Sequence, residues 1–174
     1  MQRILVMLVL ICTISCSTFA QKKNQFVGVW QQFVPIDGVE DHIAITPNGK
    51  VFLPDGRVLG FHLNPADFQN YEKFDFKTWF ISDYKITSDS TYTEEIPLHE
   101  NPEWVGTINF KYMFLNNRAW AATYVHTNPD GTKTPILDLW VKVVYDKKEL
   151  KAILKKVRDN YDAYIKEAKT NFGQ

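Results

Sequence analysis

From Phe26 to Tyr145 apolar and polar residues alternate with a period of two, and short runs of Asn, Asp, Gly and Pro interrupt the alternation. Successive side chains of an extended chain point to opposite faces, so the pattern predicts half-buried antiparallel strands joined by tight connections. Strands are expected near 26–34, 50–53, 57–63, 77–87 and 90–97, followed by 105–115, a run around Trp120 and 136–145. Pro47-Asn48-Gly49, Pro54-Asp55-Gly56, Asn116-Asn117 and Asn128-Pro129-Asp130-Gly131 read as the hairpin breaks. Asn, Asp and Gly tolerate positive φ, and Pro presets the φ of a turn. Ile108, Phe110, Tyr112 and Phe114 share one face of their strand, and Trp120, Ala122 and Tyr124 share a face of the next. The segment 136–145 is apolar and β-branched enough to be covered on both sides, while 64–74 reads as a loop or short helix capped by Asn64 or Asp67.

At Asp146 the period changes to three and four: Leu150, Ile153, Leu154, Val157, Tyr161, Tyr164, Ile165, Ala168 and Phe172 form one stripe. An amphipathic helix over 146–174, ending near Gly173, follows. Its polar face mixes Lys151, Lys155, Lys156 and Arg158 with Asp159, Asp162 and Glu167. A membrane-surface helix would be more uniformly basic, so this one is expected to pack on its own sheet. The expected fold class is mainly β: successive short antiparallel strands over 21–145, with the helix as part of the same domain.

The first twenty residues follow another logic. Met1-Gln2-Arg3 gives a basic start, 4–12 is apolar and Thr18-Phe19-Ala20 is a small-x-small cleavage site, so 1–20 reads as an export signal and Gln21 as the first residue of a periplasmic or secreted protein. The apolar run is too short for a retained membrane span. Cys12 and Cys16 both lie in the leader, which leaves the mature domain without a disulfide. Thr13-Ile14-Ser15-Cys16 holds open an alternative in which Cys16 is lipidated and anchors the chain. The intact mass of exported protein decides: a chain starting at Gln21 is expected, and a diacylglyceryl group on Cys16 would overturn it.

Charge and chemistry exclude more than they assign. Removing Arg3 with the leader leaves 19 basic against 20 acidic residues, with no field to attract nucleic acid. His42, His62, His99 and His126 show no metal-ligand spacing, so no metal site and no cofactor are expected. There is no nucleophile elbow, P-loop or dinucleotide fingerprint, and the mature chain has no Cys nucleophile. Glu94-Glu95 and Asp37, Glu40 and Asp41 offer carboxylates, but neighbours on a strand face opposite ways and exposed acids usually serve solvation. No catalytic residue is assigned, and the chain is not read as an enzyme. The excess lies in the aromatics, 12 Phe, 8 Tyr and 5 Trp, which fill a core or line a cavity.

Gly28-Val29-Trp30, within Phe26-Val27-Gly28-Val29-Trp30-Gln31, resembles the Gly-x-Trp motif that opens the first strand of lipocalins. With Pro54-Asp55-Gly56-Arg57, the stretch 79–95 and Leu139-Trp140-Val141-Lys142-Val143, the chain resembles the lipocalin-like "domain of unknown function 4488" family of exported bacterial proteins. The resemblance implies that the strands over 21–145 form an antiparallel up-and-down β-barrel of calycin-like type, with the C-terminal helix packed on it, and an envelope location, and no substrate. It also implies a structural motif of Gly28, Trp30 and Lys142, with Trp30 at the closed base and Lys142 covering it where lipocalins generally use Arg. By analogy with small barrels, the expected role is binding of a small apolar or amphipathic molecule, with Tyr84, Phe110, Tyr112, Tyr124 and Trp30 as cavity lining. The alternative is an envelope interaction protein whose barrel is filled.

Overall fold

The computed structural model describes residues 25–35, 43–63 and 76–173. The leader, the segment 64–74 and the residues Asp37, Glu40, Asp41 and His42 lie outside the described residues.

Eight strands follow one another: β1 (Gly28–Pro35), β2 (Ile43–Phe52), β3 (Arg57–His62), β4 (Lys77–Ile86), β5 (Thr91–His99), β6 (Gly106–Asn116), β7 (Ala119–Thr127) and β8 (Lys133–Lys142). Each pairs antiparallel with the next, and β8 returns to β1 through Trp30↔Lys142 to Phe33↔Leu139, closing the barrel. The antiparallel strands expected from the alternation, and the up-and-down barrel that the resemblance implies, are the fold observed.

Pro47-Asn48-Gly49 departs from expectation, because it lies inside β2 rather than in a hairpin. Gln31 pairs with Gly49 and Phe33 with Ile45, so Thr46, Pro47 and Asn48 bulge opposite the single residue Gln32. A bulge tolerates Pro, whose missing N–H costs no ladder bond there, while its carbonyl still accepts from Leu63 N at 2.6 Å. Gly49 is small for packing: a Cβ would lie 2.3 Å from the Phe61 ring.

The barrel has two cores. Inward residues such as Phe26, Trp30, Phe52, Tyr92, Trp120 and Trp140 form the inner one. Outward residues of β1 to β5, among them Val29, Val51, Leu59, Phe61, Ile81 and Leu98, form the outer one with Ile153, Val157, Tyr161, Tyr164 and Ala168 of the C-terminal helices. The helical stripe therefore packs on its own sheet. Tyr161 pins the contact by donating its hydroxyl to Val58 O at 2.8 Å and Ser82 O at 3.2 Å. The helices do not cover the outside of β8, where Leu137 is 48 % exposed, so 136–145 is not buried on both faces as its composition implied.

The expected single helix is two: α1 (Lys147–Asp159), capped by Asp146, and α2 (Tyr161–Phe172), ending at left-handed Gly173. The break is Asn160, whose side-chain amide donates to Lys156 O at 2.8 Å and competes with the backbone ladder. The interruption lets two short stripes follow a curved wall that one straight rod would leave.

Candidate functional site

One end of the barrel is solid. The Phe26 ring packs against Tyr112 at 4.9 Å, Trp120 at 5.1 Å, Tyr92 at 5.2 Å and Phe52 at 5.5 Å, plugging the base. Trp30 is fully buried beside it and donates Nε1–H to Phe26 O at 2.7 Å. Lys142 Nζ lies 5.4 Å from the centre of the Trp30 ring, and burial lowers its pKa. A Cβ on residue 28 would come within 2.9 Å of Lys142 Cε and 3.2 Å of Trp30 Nε1, so Gly28 is what allows Lys and Trp to close on the backbone.

The other half is hollow. A chamber of about 370 Å³ lies among inward side chains of all strands but β3, walled by Trp79, Phe80, Trp104, Phe110, Tyr124 and Trp140. Into this aromatic lining project Lys50, Glu94, Asp138, Gln32 and Asn48. Lys50 Nζ donates to Glu94 Oε1 at 2.7 Å, with the two side chains 6 % and 0 % exposed. Ser82 Oγ donates to Glu94 Oε2 at 3.3 Å, and the Lys50 ammonium lies 4.9 Å from the Trp140 ring centre and 5.2 Å from that of Phe80. The rings and one carboxylate thus take the place of the ammonium's lost hydration.

Asp138 anchors a second network. Gln32 Nε2 donates to its Oδ1 at 2.8 Å, and Gln32 Oε1 accepts from Asn48 Nδ2 at 2.9 Å and Thr46 Oγ1 at 3.1 Å. The bulge in β2 serves this contact by turning Thr46 and Asn48 toward Gln32. The Tyr124 phenol faces the Asp138 carboxylate and favours its ionised form. Burial raises the Asp138 pKa, against the lowering effect of nearby Lys50, and burial likewise keeps the Tyr124 phenol protonated. Burial pushes His99 down to about 4, leaving it neutral at physiological pH.

The chamber opens sideways. The β6–β7 ladder runs from Asn116↔Ala119 only to Lys111↔Thr123; beyond that, β6 stays with β5 and β7 with β8. A cleft of about 720 Å³ fills the parting and shares Trp104, Ile108, Tyr124, Ile136 and Leu137 with the chamber. Trp104, in the turn between β5 and β6, stacks on His126 of β7 with centroids 4.0 Å apart and spans the mouth.

Residues 25–156 match the family model described as a domain of unknown function, DUF4488. The chain belongs to the DUF4488 family. No curated protein sequence matches it. Among solved structures it is similar to bovine odorant binding protein in complex with undecanal, at 17 % identity over 79 % of this chain and 83 % of that one, with a TM-score of 0.39. It is also similar to a deswapped triple mutant of bovine odorant binding protein, at 18 % identity over 79 % and 87 %, with a TM-score of 0.37.

In this DUF4488 barrel, Phe110 and Tyr124 line the chamber. Tyr84 and Tyr112 do not: Tyr84 packs on Phe52 at 5.1 Å and donates to Leu53 O at 3.4 Å, while Tyr112 packs on Phe26 and donates to Ser88 O at 3.4 Å. Trp30 also belongs to the solid base. All of them face inward as the alternation requires, but alternation gives the face and not the height along the barrel axis. Sequence reasoning missed Lys50, Gln32 and Asp138. It considered Glu94-Glu95 and placed the two on opposite faces; Glu94 is the one inside. The available signal was a charge at an inward phase of a strand, Asp138 two residues from Trp140 and Glu94 two from Tyr92.

Proposed function

We propose that the barrel binds a small, largely apolar molecule in the chamber, entering where β6 and β7 part. The observation that carries this reading is the hollow half itself: about 370 Å³ of space with mostly aromatic walls and a few convergent polar groups, continuous with an outer cleft. That volume lies at the small end of the roughly 300–1,000 Å³ usual for ligand sites. The Trp140 indole N–H supports it, being buried at the chamber wall without a hydrogen-bond partner among the described residues. A buried donor is normally satisfied, and a ligand acceptor would do so here. The solid base counts against any reading in which the whole interior is filler or the whole interior is site.

Titration with the neutral fluorophore N-phenyl-1-naphthylamine tests the proposal. Saturable binding with a blue-shifted emission is expected, and Ile136→Trp, which puts an indole into the space, is expected to weaken it by about tenfold or more at an unchanged melting temperature. Non-saturable binding, or equal affinity in the Ile136→Trp variant, would remove the chamber as the site.

A further inference from the structure

We infer that the chamber selects small aromatic amines over the corresponding carboxylates, with the ammonium group seated on Asp138. This rests on the binding role proposed above and names the chemical class of ligand for that site.

The argument is one of charge inventory in a place where water cannot screen it. The charged groups that face the chamber are Lys50, Glu94 and Asp138, one cation against two carboxylates. The other titratable lining groups bring no charge at neutral pH, since burial holds His99 neutral and Tyr124 protonated. Lys50 is engaged, its Nζ 2.7 Å from Glu94 Oε1 and enclosed by the rings of Trp140, Phe80, Phe110 and Phe52 at 4.9 to 5.8 Å. A ligand carboxylate would meet two like charges and a lysine already paired.

Asp138 is in the opposite position. It is 7 % exposed and hydrogen-bonded to the neutral Gln32, with the neutral Tyr124 phenol beside it, and no cation among the described residues lies within ion-pair distance of it. An ionised carboxylate has about four acceptor sites, so these contacts leave room for a ligand ammonium. Burial raises the pKa of Asp138, and the opposing effect of nearby Lys50 does not offset it. The remaining walls suit the rest of such a molecule. Trp140, Phe80, Phe110 and Tyr124 present rings on which an aromatic body can stack, the first three also holding the Lys50 ammonium. Trp104 closes the outer side.

Calorimetric titration of the whole chain with tryptamine, 3-methylindole and indole-3-acetate, which share one ring body, separates the terms. Tryptamine is expected to bind about tenfold or more tighter than 3-methylindole, the scale of a charge-assisted hydrogen bond, and indole-3-acetate weaker than both. Asp138→Asn keeps the shape and removes the charge, so it should abolish the preference for tryptamine over 3-methylindole. On the unmodified chain the preference should shrink as pH falls through the raised pKa of Asp138, because tryptamine stays charged while the carboxylate is lost. Read above the pH of about 4 at which His99 gains its charge, that series decides the matter even if the variant does not fold. Equal affinity for tryptamine and 3-methylindole, a preference for the acid, or a preference that survives both Asp138→Asn and low pH would overturn the inference while leaving the binding role intact. Failure of all three to bind saturably would overturn both.

Discussion

Glu94→Leu is expected to destabilise the barrel by about 3–5 kcal/mol, because it strands the Lys50 ammonium inside the closed sheet. Both side chains of the pair are almost completely buried, and the 2.7 Å contact is the ammonium's only carboxylate contact among the described residues. Aromatic faces at 4.9 Å and beyond attract a cation by about 1–2 kcal/mol each at best, which falls short of the hydration it has given up. The double variant Lys50→Met/Glu94→Leu is expected to recover most of the loss, since two apolar side chains of similar volume replace two ions that were costly to desolvate. Asp138 can take up a proton in that background, its pKa being already raised. Urea unfolding of the two single variants and the double variant closes the cycle. A double variant as unstable as the sum of the singles would show that the pair does not act as a unit and that the chamber's charge inventory must be redrawn.

Trp30→Ala is expected to cost about 3–5 kcal/mol, the range for removing a large aromatic ring from a packed core. Trp30 is fully buried, with Trp120 at 6.0 Å and Phe114 at 6.4 Å between ring centres, and it holds Phe26 O through Nε1. The bond matters beyond its own strength, because Phe26 is the plug whose ring touches six other aromatic residues at the base. Trp30→Phe separates the two contributions: it keeps most of the apolar area and loses the hydrogen bond, for about 1–2 kcal/mol. Chemical unfolding checks both values. A Trp30→Ala variant within 1 kcal/mol of the parent would mean that the base is not the rigid floor described above.

These two sites were unequally legible from the chain. Gly28-Val29-Trp30 could be read because three consecutive residues resemble a known motif; the glycine's reason, a side chain that would collide with Trp30 and with Lys142 of β8, came only with the fold. The Lys50–Glu94 pair is separated by 44 residues, and Asp138 meets Gln32 across 106. No spacing rule reaches over such distances, and each of these residues, taken alone, looks like one more polar surface residue on a strand.

What the sequence determined by itself was the periodicity and all that follows from it. A period of two from Phe26 to Tyr145 determined that the chain forms successive strands and the inward face of Ile108, Phe110, Tyr112 and Phe114, though not that β2 runs through Pro47-Asn48-Gly49, and the change of period at Asp146 determined a helical end. Tertiary structure decided three further things. Closure and register set the height of each inward residue, so that Tyr84 and Tyr112 went to the solid base while Phe110 and Tyr124 went to the chamber. Docking of α1 and α2 on β1 to β5 alone decided which strands are covered on both faces, a property shared by Val51 and denied to Leu137. The early end of the β6–β7 ladder decided where the interior opens. The physical reason is common to all three: a residue's own backbone dictates which way its side chain points, whereas depth, cover and access depend on where the chain's distant segments come to lie.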